Sequence, residues 1–390
     1  MILVEEAERI LKQIPVRTHT EEAAVSDALG RILAKDVVSP IYMPPFDKSA
    51  MDGYAFISDD DSKRFKIIEI VPAGVIPKKK VTKGNCAKIM TGGMMPEGAD
   101  RVIIKEVTEE KEGYMRIIGN DYNINLCRMG EDVKPGDVVL KKGTLIRPPE
   151  VGILASMGLS RFKAFRRPVV GIVVTGSELV DPGYPLKEGQ IYDSNSYSLS
   201  AQVQQMGLKI HNAGIVADNI NRIQRVFEEL WQQCDVVIFS GGVSEGDYDF
   251  VPGILKNSGF ELHFDKVAVK PGKPTVFATR KHDIVFGAPG NPVSTIVIFE
   301  IFIKPFLYRM MGHEFKPLYK QGILKNDLSR KRANRSAFVP VLYKDGEVKP
   351  LPYHGSAHIF ALNRADGLVC ITKGIKKMPA GSTVNVRSIQ

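Results

Sequence analysis

The segment 167–312 carries the pattern that most constrains the fold, because two of its runs are short, β-branched and apolar on both faces. These runs are residues 169–174 and 235–239, and helical patterns lie between them at 194–206 and 219–233. Strands that are apolar on both faces are typical of a parallel sheet covered by helices on each side. The repeated order of strand, loop and helix predicts a doubly wound α/β domain. In such a domain, ligands bind in the crevice at the carboxyl ends of the strands.

Acidic residues follow the predicted strands at the edge where a ligand is expected. Glu178, Asp218 and Asp247 each come just after a strand, and Asp249 lies two residues beyond Asp247. Carboxylate oxygens gathered at one crevice favour a hard cation such as Mg²⁺, which would neutralise phosphate oxygens. Asp218 also precedes a predicted helix, so N-capping is an alternative role for this residue.

A glycine-rich turn, formed by Ser240, Gly241 and Gly242, follows the second strand. Such a turn lets backbone N–H groups face an anion, although a plain turn is the alternative. Neither GxGxxG nor GxxxxGK[ST] occurs, so the sequence does not support a common dinucleotide site or a P-loop. It also lacks a GxSxG nucleophile elbow, and we do not expect covalent catalysis.

Basic residues and a helix start provide candidate anion ligands. Lys270 and Lys273 flank a Pro-Gly turn, which predicts two ammonium groups held on a rigid loop, with ordinary surface lysines as the alternative. Residues 290–294 open a long predicted helix, with Asn291 as its cap and Pro292 in its first turn. The helix N-terminus would add partial positive charge. Carboxylates for a cation and lysines for an anion together predict phosphate, pyrophosphate or oxyanion chemistry.

Changes of pattern along the chain predict four domains. Residues 4–13, 21–34 and 149–158 have helical character, whereas residues 55–146 and those after Gly312 are rich in short strands and turns. The predicted boundaries are 1–45 and 147–166 for an N-terminal and linker helical domain, 46–146 for an inserted β domain, 167–313 for the α/β domain, and 314–390 for a C-terminal β barrel.

The net charge of +9 raises the question of a polyanionic partner. The basic clusters at 78–80, 161–167 and 325–335 lack the interleaved aromatic residues of a single-strand platform. The sequence also lacks a zinc-finger or RNA-recognition signature, so we do not expect nucleic-acid binding. A small, multiply charged anion is the better match.

The apolar stretches and the cysteines indicate the cellular location of the protein. The strongest apolar stretch, 293–311, is interrupted by charged residues and a proline, so we do not expect a membrane span. The N-terminus is acidic and amphipathic, unlike a signal or transit peptide. Four widely spaced cysteines without a CxxC motif favour a reducing compartment, and we expect a cytoplasmic protein.

Seven motifs occur in order along almost the whole chain. They are PPFDKSAMDGYA (44–55), KIMTGGMMPEGAD (88–100), RMGEDVKPGD (128–137), TGSEL (175–179), SGGVSEGDYDF (240–250), KPGKP (270–274) and APGNPVS (288–294). In this combination the chain resembles the molybdopterin molybdenumtransferases, a family that includes the bacterial MoeA proteins and the E domain of gephyrin. Ser177, Ala337 and His354 stand where many members carry Asp, Glu and Gln.

The resemblance implies a step of molybdenum cofactor biosynthesis. Molybdate would be inserted into adenylylated molybdopterin, with Mg²⁺ or a similar cation, and AMP would be released. The resemblance also implies a homodimer, and contact with the molybdopterin adenylyltransferase. Two alternatives stay open: an adenylyltransferase that acts on molybdopterin with ATP, and a gephyrin-like scaffold that binds a partner peptide. Tungstate is the alternative to molybdate.

The resemblance implies roles for individual residues, and only through it are Asp52 and Asp132 assigned to the site. The expected catalytic residues are Asp52, Asp132, Glu178, Asp218 and Asp247. The expected ligands of molybdopterin and molybdate are Thr91, Ser240, Gly241, Gly242, Lys270, Lys273, Pro289, Pro292, Ser294, Arg335 and Ser356. The expected metal ligands are Glu178, Asp218, Asp247 and Asp249.

Overall fold

A computed structural model describes residues 1–244, 246, 249–352 and 355–389 of the chain. The chain divides into two compact units, and the predicted boundaries of four domains stay a prediction. Unit 1 comprises Met1–Ala34, Gly143–Arg147 and Arg161–Gln390, and unit 2 comprises Lys35–Lys142 and Pro148–Ser160. Within the described ranges, every helix is too short or too polar to cross a membrane.

The centre of unit 1 is a six-stranded sheet in which four neighbouring strands are parallel. The two remaining strands run antiparallel to their neighbours at one edge. From edge to edge the strands are Lys209–Val216, Val169–Thr175, Val236–Ser240, Asp283–Ala288, Val276–Arg280 and Glu261–Phe264. The predicted α/β fold is confirmed, together with the strands predicted at 169–174 and 235–239.

Helices pack on both faces of this sheet. Alternate residues of one strand enter opposite cores, with Ile172 in the first and Val173 in the second. Burial on both sides explains why the strand is apolar without interruption. The helices on the first face are Asn195–Gln205, Pro292–Ile298 and Lys304–Met310, and those on the second are Ile220–Trp231 and Val251–Asn257. The helices predicted at 194–206 and 219–233 are confirmed, and Phe299–Ile303 joins the segments after Pro292 as a π-helical turn.

The order of the strands places a ligand crevice between Val169–Thr175 and Val236–Ser240. The chain leaves the first of these strands toward one edge of the sheet, where it adds Lys209–Val216. It then returns and adds Val236–Ser240 on the opposite side. The loops after Thr175 and Ser240 therefore diverge at the carboxyl ends of adjacent strands, the position where open α/β sheets bind ligands.

The helix predicted at 21–34 is wrong. Thr20–Ala24 form a strand that pairs antiparallel with Arg161–Phe165, and Val25–Asp27 form only a short 3₁₀ turn. Gly30 then adopts a φ of +72°, which is incompatible with a continuing right-handed helix. The pairing partner lies far away in the sequence, so local spacing of apolar residues could not reveal it. The helix predicted at 4–13 is confirmed as Val4–Gln13.

The C-terminal part of unit 1 is a closed five-stranded barrel, as predicted. It closes because the strand Ser336–Lys344 pairs on one side with Glu347–Pro350 and on the other with Gly367–Ile371. Inward-facing apolar side chains such as Val341 and Val369 fill the interior. Around the barrel the strands are Ser336–Lys344, Glu347–Pro350, Tyr319–Leu324, Thr383–Ser388 and Gly367–Ile371.

Unit 2 is built on a second six-stranded sheet. Residues 54 and 55 lie on opposite faces of it, and each face has its own small apolar core. The helix Pro148–Ser156 belongs to this unit and confirms the helix predicted at 149–158. From edge to edge of this sheet the strands are Arg101–Ile104, Gly53–Phe56, Asn85–Ile89, Phe65–Val71, Tyr114–Ile117 and Thr108–Lys111. Unit 2 also contains two-stranded ribbons, which pair Lys48–Ser49 with Leu126–Cys127 and Val37–Val38 with Val138–Leu140.

Closure of the barrel depends on a glycine at position 367, and this gives a prediction. A Cβ atom there would overlap the carbonyl oxygen of Arg387 and would lie 2.6 Å from Cγ1 of Val386. We expect Gly367→Ala to lower the free energy of unfolding by about 1–3 kcal/mol through overpacking. The matched control is Gly253→Ala in an exposed helical turn with open space around it, which we expect to stabilise by up to about 1 kcal/mol. Denaturant titration measures the free energy of unfolding of both variants. If neither variant is less stable than the wild type, closure of the barrel does not depend on glycine at position 367.

Candidate active site

The glycine turn after Ser240 lies against the end of the neighbouring strand. Gly241 and Gly242 adopt φ values of +91° and +66°, and Cβ atoms on them would lie 3.0 and 2.8 Å from Oγ1 of Thr175. Only glycine combines this left-handed backbone with so close an approach. The Gly241 N–H donates to the carbonyl of Ala288 at 3.1 Å, so this group holds the turn in place and does not face an anion.

A buried amide connects this turn to the loop before the helix at Pro292. Nδ2 of Asn195 donates to Oγ of Ser240 at 2.9 Å and to the carbonyl of Gly290 at 2.7 Å. The carbonyl of Pro289 accepts from Oγ1 of Thr295 at 2.6 Å. Asn195 is 6% exposed, and its Oδ1 finds no hydrogen-bond partner among the described residues. This network holds the two loops together in the interior of unit 1.

Asn195 is not among the residues predicted from the sequence, although a signal for it exists. Asp193 lies two residues earlier, and its carboxylate accepts the N–H groups of Asn195 and Ser196 at 2.9 and 3.0 Å. This arrangement caps the helix Asn195–Gln205. A capping Asp followed by another polar residue at a helix start indicates polar groups in a buried position, where they need partners.

The carboxylates of Glu178 and Asp218 lie on adjoining loops. The N–H of Ser177 donates to the carboxylate of Asp218 at 2.9 Å, and the N–H of Asp218 donates to Oγ of Ser177 at 3.1 Å. Asp218 is not the helix cap, because Oδ1 of Asn219 accepts the N–H of Arg222 instead. The alternative role of Asp218 as an N-cap is therefore wrong.

The predicted metal ligands fit a hard cation in part. Glu178 is exposed, and no cationic side chain within the described ranges lies at ion-pair distance from it. Asp249 accepts the N–H of Gly246 at 2.7 Å, so one of its oxygens is already used in a turn. Asp247 lies outside the described residues. In the described ranges, this crevice included, His, Cys, Asp and Glu form no group of three that could hold a metal. Two carboxylates suit Mg²⁺, which usually keeps several waters and binds substrate phosphates.

The lysine loop combines a buried centre with exposed flanks. Pro271 and Gly272 are buried, whereas Lys270 and Lys273 are exposed. Gly272 has a φ of +111°, and a Cβ atom on it would lie 2.6 Å from Cδ1 of Ile298. The backbone therefore packs directly on the helix that begins at Pro292. Both ammonium groups extend from a fixed loop, as predicted, although their binding of an anion stays a prediction.

The same region contains Arg335 and Ser356. Nη1 of Arg335 lies 3.5 Å from the carbonyl of Val269, beside the lysine loop. The carbonyl of Ser356 accepts the N–H of Val293 at 3.0 Å, in the first turn of the helix. The structure thus brings Arg335, Ser356, the lysine loop and the helix start to one side of unit 1.

The helix start differs in detail from the prediction. The side chain of Asn291 forms no capping hydrogen bond, and its carbonyl accepts the N–H of Thr295 at 3.1 Å. Ser294 is only 2% exposed, so its hydroxyl lies within the helix layer. The N–H of Val293 is already bonded to Ser356. One N–H of the first turn is therefore already satisfied, which leaves less of the helix's partial positive charge for an anion.

Unit 2 brings three of the sequence motifs together around Asp52. Oδ1 of Asp52 accepts the N–H of Thr91 at 2.8 Å and its hydroxyl at 2.7 Å, and Nζ of Lys105 lies 3.6 Å from Oδ2. The carboxylate of Asp47 accepts the N–H of Met129 at 2.7 Å, in the motif that includes the exposed Asp132. The hydrogen bonds from Thr91, with the Lys105 charge, lower the pKa of Asp52 below its ordinary value.

Family models match almost the whole chain in three consecutive blocks. Residues 2–158 match the MoeA N-terminal region (domains I and II), and residues 171–309 match a probable molybdopterin binding domain. Residues 321–389 match the MoeA C-terminal region (domain IV). The three blocks follow the order and extent of the motifs in the sequence.

Individual relatives match from end to end. The molybdopterin molybdenumtransferase of Haemophilus influenzae is 35% identical over 389 residues, which cover 97% of this chain and 96% of the relative. That of Bacillus subtilis is 31% identical over 405 residues, covering 100% and 94%. The crystal structure of a molybdopterin biosynthesis MoeA protein from Pyrococcus horikoshii has a TM-score of 0.84 and 29% identity, with 100% of both chains covered.

The contact between Thr91 and Asp52 gives a prediction about pH. Thr91→Val removes the hydroxyl donor and keeps the N–H, so we expect the lowered pKa of Asp52 to rise toward its ordinary value. Asp52 would then lose its negative charge at a higher pH than in the wild type. Carbon-detected NMR titration of the carboxyl group measures this shift. Thr82→Val is the control, because its hydroxyl accepts from Asn85 and contacts no carboxylate. If the titration midpoint of Asp52 is unchanged in Thr91→Val, the Thr91 hydroxyl does not lower the pKa of Asp52.

Proposed function

Because this chain belongs to the molybdopterin molybdenumtransferase family, we propose how its residues insert molybdate into adenylylated molybdopterin with release of AMP. Molybdenum cofactor biosynthesis is the process in which this transferase acts. The adenylyltransferase alternative is not favoured, since the N-terminal and C-terminal MoeA regions are both present beside the α/β domain.

One observation carries the assignment of the anion-binding residues. Arg335 contacts the carbonyl of Val269, directly before Lys270, and Ser356 contacts the start of the helix on which the lysine loop packs. Molybdate is a doubly charged oxyanion, and charge-assisted hydrogen bonds from Lys and Arg suit it. We assign molybdate to this cationic region, and tungstate has the same charge and shape. The predicted roles of Pro289, Pro292, Ser294, Ser240 and Gly242 in holding the substrates belong to the same proposal.

The carboxylates at the crevice have a different task. Glu178 and Asp218, with Asp247 and Asp249 from the neighbouring loop, would hold Mg²⁺ beside the phosphoanhydride of the substrate. When bound, Mg²⁺ supplies positive charge that neutralises the phosphoanhydride oxygens and stabilises AMP as it leaves. Without a cation, Glu178 would repel the substrate, because it is exposed and lacks a cationic partner in the described ranges.

Asp52 and Asp132 complete the proposed set of catalytic residues. The hydrogen bonds from Thr91 hold Asp52 in its ionised form and fix its orientation. An ionised, oriented carboxylate accepts a proton or positions a bound group. Asp132 is exposed on a turn in the same unit. We propose that both act on the molybdopterin part of the substrate.

The assembly and location of the enzyme are also proposals. We infer a cytoplasmic homodimer that receives its substrate from the molybdopterin adenylyltransferase. Free cysteines at all four positions suit a reducing compartment. The scaffold alternative is tested by the same assay as the activity: a protein that binds a peptide but releases no AMP would support it.

The crevice carboxylates give a prediction about metal dependence. Glu178→Gln keeps the shape of the side chain and removes one negative charge, so we expect AMP release to require a higher Mg²⁺ concentration and to reach a lower maximal rate. Glu188→Gln, on an exposed stretch after the same strand, is the matched control and should behave as the wild type. The measurement is molybdate-dependent AMP release against Mg²⁺ concentration. Identical Mg²⁺ dependence in the two variants would exclude Glu178 as a metal ligand.

The proposed homodimer gives a separate prediction. If the dimer is the active form, the specific activity falls when dilution dissociates it, since subunit association follows mass action. Analytical ultracentrifugation and AMP release over the same range of protein concentration test this. A monomer that keeps full specific activity contradicts the proposal.

A further inference from the structure

The excess positive charge of the chain is confined to its C-terminal part. Residues 314–390 contain 14 of the 53 lysines and arginines but only 5 of the 44 aspartates and glutamates. This part therefore has a net charge of +9, equal to that of the whole chain, and residues 1–313 are neutral. So strong a charge asymmetry indicates an anionic ligand or partner.

Two loops at one end of the barrel gather many of these cations. The N–H of Arg330 donates to the carbonyl of Lys376 at 2.9 Å, and the N–H of Gly374 donates to the carbonyl of Ala333 at 2.8 Å. The guanidinium of Arg330 also bonds to the carbonyl of Thr372 at 2.7 Å. The loops 330–335 and 372–377 are thus held side by side. We call their exposed cations the basic surface, which comprises Lys331, Arg332, Lys373 and Lys376.

The cations of the basic surface have no ion-pair partner in the part of the chain that the structure describes. Lys377 forms an ion pair of 2.5 Å with Asp327, and Lys325 pairs with Glu347 at 2.6 Å. For the basic surface itself, no carboxylate in the described ranges lies within ion-pair distance. The two loops contain no acidic residue. Like charges held this close destabilise the fold slightly, so their accumulation indicates a function.

The basic surface adjoins the lysine loop of the candidate site. The N–H of Ser336 donates to the carbonyl of Ala268 at 2.8 Å, and Oγ of Ser336 accepts the N–H of Lys373 at 3.2 Å. The strand Val269–Lys270 pairs with the barrel at the same point, where Lys270 is the register partner of Ala337. One residue, Ser336, therefore connects the basic surface to the loop that holds Lys270 and Lys273.

We propose that the basic surface captures the anionic substrates, molybdate first, and raises their concentration next to Lys270 and Lys273. This inference rests on the proposed function and adds how the same site obtains its dianion. Surfaces of one charge raise association rates by about 10- to 1,000-fold, and salt screens the effect. An acidic protein partner is the competing explanation. The position beside the lysine loop favours the small anion, because a protein partner would not require this contiguity.

The test removes three lysines and varies the salt concentration. The variant is Lys331→Gln/Lys373→Gln/Lys376→Gln, which keeps Arg332 and the structural Arg330. At low ionic strength we expect kcat/KM for molybdate to fall about tenfold while kcat at saturation stays unchanged. At about 1 M salt, where the Debye length is about 3 Å, the variant and the wild type should converge. Equilibrium titration with molybdate should show the same loss of affinity at low salt.

The matched control removes three lysines at the opposite end of the barrel. Lys344 ends the strand that begins at Ser336, about 26 Å away along the strand. Lys349 pairs with Leu342 in the adjacent hairpin, and Nζ of Lys320 lies 5.5 Å from the ring of Tyr343. All three lysines are exposed. The variant Lys320→Gln/Lys344→Gln/Lys349→Gln has the same net charge as the test variant and should keep the wild-type kcat/KM.

The outcomes separate this inference from the proposed function. AMP release by the wild type tests the function before any variant is compared. An equal decrease in both variants would mean that total charge, and not the basic surface, attracts molybdate. An unchanged kcat/KM in the test variant would overturn the inference and leave an acidic protein as the partner of this surface. A lower kcat that persists at high salt would also overturn it, because the lysines would then act in the reaction itself.

Discussion

The hydrogen bonds of one buried amide hold the candidate site of unit 1 together. Asn195 donates from a single Nδ2 atom to the glycine turn and to the loop before the helix at Pro292. Because the amide is buried, loss of one of these hydrogen bonds would leave a buried polar group poorly satisfied, which costs about 1–3 kcal/mol. The relative position of the two loops is therefore fixed by the interior of the domain. The outer parts of the site depend on this position.

From this junction, contacts extend outward in order. The helix that begins at Pro292 supports the lysine loop through the contact between Gly272 and Ile298. The lysine loop continues into the strand that pairs with the barrel at Ser336. The cations of the lysine loop and of the barrel thus lie on elements that contact one another in turn. The carboxylates of Glu178 and Asp218 instead follow other strands of the sheet. This distribution over different strands is compatible with the proposed roles of the carboxylates in cation binding and of the lysines in oxyanion binding.

The sequence predicted the parts that depend on local pattern. The strands predicted at 169–174 and 235–239 are rich in apolar residues because they are covered on both faces, and the pattern alone reveals this. The helix at 21–34 was wrong, since pairing with Arg161–Phe165 decides the conformation of Thr20–Ala24. Asn195 was missed because its two partners lie 45 and 95 residues away in the chain. The cations of the barrel likewise lie beside Lys270 because segments distant in the sequence pair in the fold, which local pattern does not reveal. The roles of Asp52 and Asp132 stay predictions from the resemblance, and the role of Asp247 stays a prediction from both the residue pattern and the resemblance.

We propose that molybdate binds in the cationic region around the lysine loop. Crystals of the protein grown with molybdate, and measured at the molybdenum absorption edge, locate the metal directly by anomalous scattering. We expect a peak within about 4 Å of Nζ of Lys270 or Lys273, the distance of a hydrogen-bonded oxyanion centre. The peak should be absent in crystals of Lys273→Ala grown in the same way. A peak located only in unit 2, or one that persists unchanged in the variant, would contradict the account.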